Sequence, residues 1–202
     1  MRKPLNQAEK VKALVRAKGV LRPRDLAGER IPRAVLSRLC KSGELARTVR
    51  GLYVAGQDNI TENHTLAEVG RLVPKGIICL LSALRFHGLT TQIPGEVWLA
   101  IPPNARRPKW HGVSIRPVHF SGPALSQGYE EHVIEKVPVR IYGVAKTVAD
   151  CFKARNKVGL DVAMEALRDY RRMRKGTMDE LWRYAKVCRV TKVMQPYLES
   201  LS

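Results

Sequence analysis

Arg33, Ser37 and Lys41 stand four residues apart, and Ala34 and Arg38 repeat that interval one step on. A spacing of four lays side chains along one face of a helix. A guanidinium can take both acceptors of a guanine edge, and hydroxyl or ammonium groups can reach bases or phosphates, so such a face suits the major groove of DNA. Arg33 and Arg38 are the candidates for the bidentate contact. Shortly afterwards come Arg47, Arg50, Gly51 and Tyr53. Here the two arginines would lie along phosphates, Gly51 would let the backbone approach closely, and Tyr53 would pack or donate a hydrogen bond. With Arg22 and Arg24, just upstream, these form the candidate DNA-binding set.

The elements that must hold these residues follow from the surrounding pattern. Leu5, Ala8, Val11, Leu14 and Val15 have the three-and-four spacing of an amphipathic helix running from Leu5 to Lys18, and Gly19 stops it. Pro23 opens a short second helix that Gly28 ends. Pro32 opens a third, with Val35, Leu36, Leu39 and Cys40 turned inward and Ser42-Gly43 closing it. Three helices in so short a span predict a helix-turn-helix core. Leu45 to Thr48 and Leu52 to Ala55 read as two strands joined through Val49-Arg50-Gly51, which would make a wing.

The charge balance agrees with a polyanionic partner. The chain has 36 Lys and Arg against 18 Asp and Glu in 202 residues, a net +18, and 14 of those cations against 4 of the acids fall in the first 56 residues. Such a field draws in nucleic acid. A charge run can also be merely solvated, but here the basic residues sit on the third helix and the wing together. Lys10, Lys12, Arg16 and Lys18 on the first helix raise the rival of a membrane-surface helix. No apolar run approaches the roughly 18 residues of a membrane span, and the charged start does not resemble a signal peptide, so a cytoplasmic protein is expected. Cys40, Cys79, Cys151 and Cys188 are far apart, which predicts buried reduced thiols rather than a zinc site or disulfides.

Asp58 to Asn63 is polar and turn-rich, and residues 57–63 are expected to link a 1–56 domain to a 64–202 domain. In the second, Thr65 to Val73 and Ile77 to Phe86 read as helices, Val97 to Ile101 as a buried strand, and Val113 to Phe120 as an alternating one. His132 to Lys136 and Val139 to Tyr142 suggest a hairpin around Pro138. Val144 to Arg155, Leu160 to Arg172, Met178 to Val187 and Val193 to Leu201 have helical periodicity. The expected class is α+β, a winged helix-turn-helix followed by a small antiparallel sheet with C-terminal helices.

His87, Asp150, Asp161 and Arg155 could form an acid-base or nuclease group. The plainer reading has His87 capping its helix before Gly88, and the aspartates pairing with Lys146 or Arg155. No metal-ligand spacing, nucleophile elbow or phosphate-binding glycine loop is present, so neither enzyme activity nor a cofactor is expected. Arg106 to His111 could stack Trp110 on a base, or be an exposed loop.

Taken in order, the N-terminal pattern, then Leu81-Ser82-Ala83-Leu84 with His87-Gly88-Leu89-Thr90, then Val97 to Pro102 with Arg106-Arg107-Pro108, resemble the AbiEi-type antitoxin and transcriptional regulator family of type IV toxin–antitoxin systems. Ala145 to Phe152 and Arg155 to Asp161 are similar to its later signature. The resemblance spans about Leu5 to Arg172. It implies a DNA-binding domain that represses its own operon, and a C-terminal domain that counteracts a co-encoded nucleotidyltransferase-like toxin in abortive infection, a phage defence. A stable complex with that toxin is not implied. The operator would carry inverted repeats, read by a homodimer on DNA, because short recognition helices need two half-sites. The competing expectations are a non-specific nucleic-acid-coating protein and a nucleic-acid-processing enzyme.

Overall fold

The computed structural model describes residues 6–29, 31–47, 52–55, 61–105 and 113–200. They form a mixed α+β protein of two compact units: Met1–Pro74 with Lys109–Ser114 and Val133–Val139, and Lys75–Pro108 with Ile115–His132 and Arg140–Ser202.

In the first unit, α1 (Gln7–Lys18) buries Val11 and Val15 and ends at Gly19, whose φ of 70° no β-carbon-bearing residue takes easily. The chain continues through β1 (Val20–Leu21), a 3₁₀ segment over Pro23–Glu29, and α2 (Ala34–Lys41). Next come β2 (Leu45–Ala46) and β3 (Tyr53–Ala55). The three strands pair antiparallel in the order β1-β3-β2. Val11, Val15, Leu21, Leu26, Leu36, Leu39, Leu45 and Tyr53 form its core. The sequence pattern misses β1, because two fully buried residues show no alternation, and its second helix is a 3₁₀ segment that runs past Gly28. Leu5, Thr48 to Gly51 and most of the linker lie outside the described residues.

This first unit also holds α3 (His64–Leu72), expected to open the second domain. Glu135 explains the difference, since its carboxylate accepts hydrogen bonds from the Thr61 amide and hydroxyl and meets His64. Arg71, near the end of α3, pairs with Asp25 of the 3₁₀ segment.

The second unit contains β4 (Ile77–Ile78), α4 (Leu80–His87), β5 (Val97–Ile101), β6 (Ile115–His119) and α5 (Pro123–Ser126). The hairpin strands are β7 (Tyr129–Ile134) and β8 (Val137–Tyr142), whose Val133–Val139 portion belongs to the first unit, followed by α6 (Val144–Lys153), α7 (Arg155–Val158), α8 (Leu160–Arg172), α9 (Met178–Val187) and α10 (Thr191–Glu199). Strand order is β6-β5-β4-β8-β7. The sheet is mixed rather than antiparallel, with β4 parallel to β8 and β5 parallel to β6 while β4 and β5 run antiparallel. Helix α6 is buried from Ala145 to Phe152 and packs with Leu84, Leu167, Leu181 and Met194.

Two sequence expectations change here. Ile77 and Ile78 are a strand, and the helix begins only at Leu80, after the chain turns through a φ of 46° at that residue. The hairpin turns at Glu135 and Lys136, whose φ angles are 49° and 65°, rather than at Pro138. Pro138 is exposed within β8, beyond the Arg140 and Ile141 positions that pair with β4, so its missing N–H breaks no bond to that strand.

Candidate nucleic-acid interface

Helix α2 presents two chemically distinct faces. Val35, Leu36 and Leu39 are buried, while Arg33 at the N-cap and Ala34, Ser37, Arg38 and Lys41 are exposed. The buried side fixes the rotation of the helix, so the basic side faces outward. Its C-terminal end is tied down by Ser42, whose hydroxyl donates to the Leu39 carbonyl at 3.1 Å and to Glu44 at 2.8 Å. Glu44 also binds Lys12 of α1 at 2.9 Å. Among the described residues, Arg33, Arg38 and Lys41 have no ion-pair partner, which leaves their charges available to a polyanion.

Arg47 is exposed, and its guanidinium lies 5.9 Å from the centre of the Tyr53 ring. Tyr53 is only 8% exposed and belongs to the core, so of the two roles expected of it, packing is the one its position serves. Arg50 and Gly51 lie outside the described residues, as does the segment Arg106 to His111.

Arg24 is exposed on the 3₁₀ segment, and Arg22 beside it is half-buried. The amide of Arg22 donates to Asp25 Oδ2 at 2.9 Å, and Arg71 Nη2 donates to the same oxygen at 2.6 Å. Burial acts to raise the Asp25 carboxyl, but these two donors outweigh it and hold the group below its usual range. Among the described residues, two buried nitrogens of Arg22, Nε and Nη2, have no hydrogen-bond partner. Desolvation, then repulsion from Arg24 and Arg71, lowers its pKa, though a guanidinium stays charged. Asp25 thus binds one guanidinium, that of Arg71, and one backbone amide, that of Arg22. No local pattern in the sequence reveals Arg71 as a partner of Asp25, since the two lie 46 residues apart.

The residues considered for catalysis have other partners. His87 Nε2 lies 2.7 Å from the Tyr142 carbonyl oxygen, and burial lowers its pKa, favouring the neutral ring. Asp150 is 1% exposed and binds Lys146 Nζ through both oxygens, at 2.7 and 2.5 Å, while the Cys188 thiol donates to it at 3.1 Å. Arg155 donates to the Phe152 carbonyl, and Asp161 is exposed in the first turn of α8. Among the described residues no group of three or more His, Cys, Asp or Glu could hold a metal ion, and no helix is long and apolar enough to cross a membrane.

Residues 9–56 match the family of the transcriptional regulator, AbiEi antitoxin. The AbiEi match therefore covers α1 from Glu9 onward, the 3₁₀ segment, α2 and all three short strands of the first sheet. Over most of its length, the chain is similar in fold to the crystal structure of the RV2827C protein from Mycobacterium tuberculosis. The TM-score is 0.60 at 14% identity, covering 92% of this chain and 73% of that one. No curated protein matches the chain.

Proposed function

We propose that this chain is a DNA-binding regulator of the AbiEi antitoxin type. Its first unit is a winged helix-turn-helix in which α2 enters the major groove. The observation that carries the reading is the exposed basic face of α2, without ion-pair partners among the described residues, inside the segment that matches the AbiEi regulators. Arg33 and Arg38 take base edges, Ser37 and Lys41 contact bases or phosphates, and Ala34 permits close approach. The turn between β2 and β3 is the wing, carrying Arg47 and Arg50 to the backbone, while Arg22 and Arg24 contact phosphates beside it. Bound as a dimer to inverted half-sites, the protein represses its own operon.

The second unit, on this reading, serves the antitoxin role against a co-encoded toxin of nucleotidyltransferase type. Support for that part is the family resemblance alone, and it involves no catalysis by this chain. Footprinting on the DNA upstream of the gene tests the first part. Two protected half-sites about 34 Å apart are expected. In cells, a reporter driven by that DNA is repressed by the native protein and released by Arg33→Ala with Arg38→Ala. Uniform protection along the fragment, or repression that survives both substitutions, contradicts the proposal.

A further inference from the structure

A cleft of about 780 Å³ opens in the second unit, where the end of β6 and the segment 120–127 face the C-terminal ends of α6 and α9. Lys153, Lys157, Lys186 and Arg189 line it, all four exposed and, among the described residues, none paired with a carboxylate. The acidic residue in its lining is Asp150, which Lys146 already neutralises. The cleft therefore carries an uncompensated charge of four cations.

Helix ends explain part of this. Lys153 and Lys186 occupy the last turns of α6 and α9, where the helix dipole favours a positive charge. Two helix ends contribute about half a negative charge each, however, against four full positive ones. Arg189 lies beyond α9 at a φ of 57°, a left-handed conformation that glycine would adopt at less cost. An arginine at that turn puts a guanidinium on the rim of the cleft.

The other walls carry no further lysine or arginine, though His119 joins them. Phe120, half-buried, presents an aromatic ring that lies 6.0 Å from the Tyr142 ring and 5.2 Å from Lys146 Nζ. Ser121 and Gln127 add neutral hydrogen-bonding groups. The volume lies within the range of small-molecule sites, roughly 300 to 1,000 Å³, and is too small for a duplex. An aromatic wall beside a cluster of cations matches a ligand with a flat ring at one end and several negative charges at the other.

We propose that this cleft binds a nucleoside polyphosphate, its phosphates against Lys153, Lys157, Lys186 and Arg189 and its base against Phe120. The site uses no residue of α2 and does not depend on the DNA-binding reading. A free nucleotide and the 5′-triphosphate end of an RNA offer the same chemistry.

Calorimetric titration of the full-length protein tests it, with ATP and GTP, inorganic triphosphate, AMP and two short RNAs, one ending in a 5′-triphosphate and one in a 5′-hydroxyl. At about 150 mM salt, which screens diffuse attraction, a nucleoside triphosphate should saturate one site per chain. Inorganic triphosphate and AMP should each bind at least about tenfold more weakly, since each lacks half of the contacts. Lys186→Ala with Arg189→Ala should weaken the nucleotide by at least about tenfold, because charged hydrogen bonds are lost. Arg38→Ala should leave it unchanged. Phe120→Leu should erase the preference over inorganic triphosphate. If the 5′-triphosphate RNA competes best, the site stands and the strand end is its source. Equal binding of inorganic triphosphate and nucleotide overturns the proposal, as does wild-type affinity in the double variant or equal competition by the 5′-hydroxyl RNA.

Discussion

His64 Nδ1 lies 2.6 Å from Glu135 Oε2, joining the start of α3 to a hairpin turn 71 positions along the chain. Glu68, one helical turn on, sets its Oε1 3.6 Å from the other ring nitrogen, an ion-pair rather than a hydrogen-bond distance. Glu68, followed by Glu135, outweighs desolvation and raises the His64 pKa from 6.5 to about 9. The imidazolium thus sits between two carboxylates.

Stability of the first unit should follow that titration. A group whose pKa is raised on folding stabilises fully below its unfolded value and loses that contribution as pH rises through the folded one. Thermal midpoints of the native protein should therefore fall as pH goes from about 6.5 to about 9. In His64→Gln the fall over that window should be much reduced. An unaltered pH profile in that variant would remove His64 as the cause.

The same turn meets Gly19. A β-carbon there would overlap the Glu135 carbonyl oxygen, and the residue's φ is 70°. Lys136 Nζ also donates to the Arg16 carbonyl, which fixes the turn against the end of α1. Gly43 has a similar φ of 75° but open space around it. Gly43→Ala should cost only about 1 kcal/mol, the price of the backbone conformation. Gly19→Ala should cost well over 2 kcal/mol in urea denaturation, because conformational strain and overlap combine. Equal effects would contradict the close approach.

Lys146 and Asp150 form a pair with side chains 0% and 2% exposed, and the Lys146 ammonium also lies 4.1 Å from the Tyr142 ring. Burial raises the Asp150 pKa while Lys146 opposes it. Removing one partner leaves a buried charge alone, so Lys146→Met or Asp150→Leu should each destabilise by about 3–5 kcal/mol. The double variant should lose less than the sum of the two. An additive result in the double-mutant cycle would show that the pair is not coupled.

Thiol accessibility gives a further check. Cys79, Cys151 and Cys188 are buried, and burial pushes their pKa values up, whereas Cys40 is half-buried on α2. One thiol per native chain should react with a maleimide at neutral pH, and four after unfolding. Rapid labelling of Cys79 or Cys151 in the native protein would contradict the packing around α6.

Long elements were legible because their periods repeat. Val11 and Val15 announced α1, Val35, Leu36 and Leu39 announced α2, and the run Val97 to Ile101 announced β5. Val20-Leu21 and Ile77-Ile78 were not, since two apolar residues have no period and their partners, β3, β5 and β8, are remote in sequence. Nor was the hairpin turn, because Glu135-Lys136 adopts positive φ without the glycine or asparagine that signals it. The basic face of α2 could be read from spacing alone. The pairing of Arg71 with Asp25 could not, because it is made by tertiary packing.

Sequence-specific recognition by α2 is best tested by titrating the protein against the duplex upstream of its own gene and an unrelated duplex of equal length, each with native protein and Arg38→Ala. At about 150 mM salt the upstream duplex should bind about a thousandfold more tightly. Arg38→Ala should remove most of that margin while changing the unrelated duplex little. Equal binding of the two duplexes by the native protein, falling together with salt, would contradict the account and leave only electrostatic attraction to the backbone.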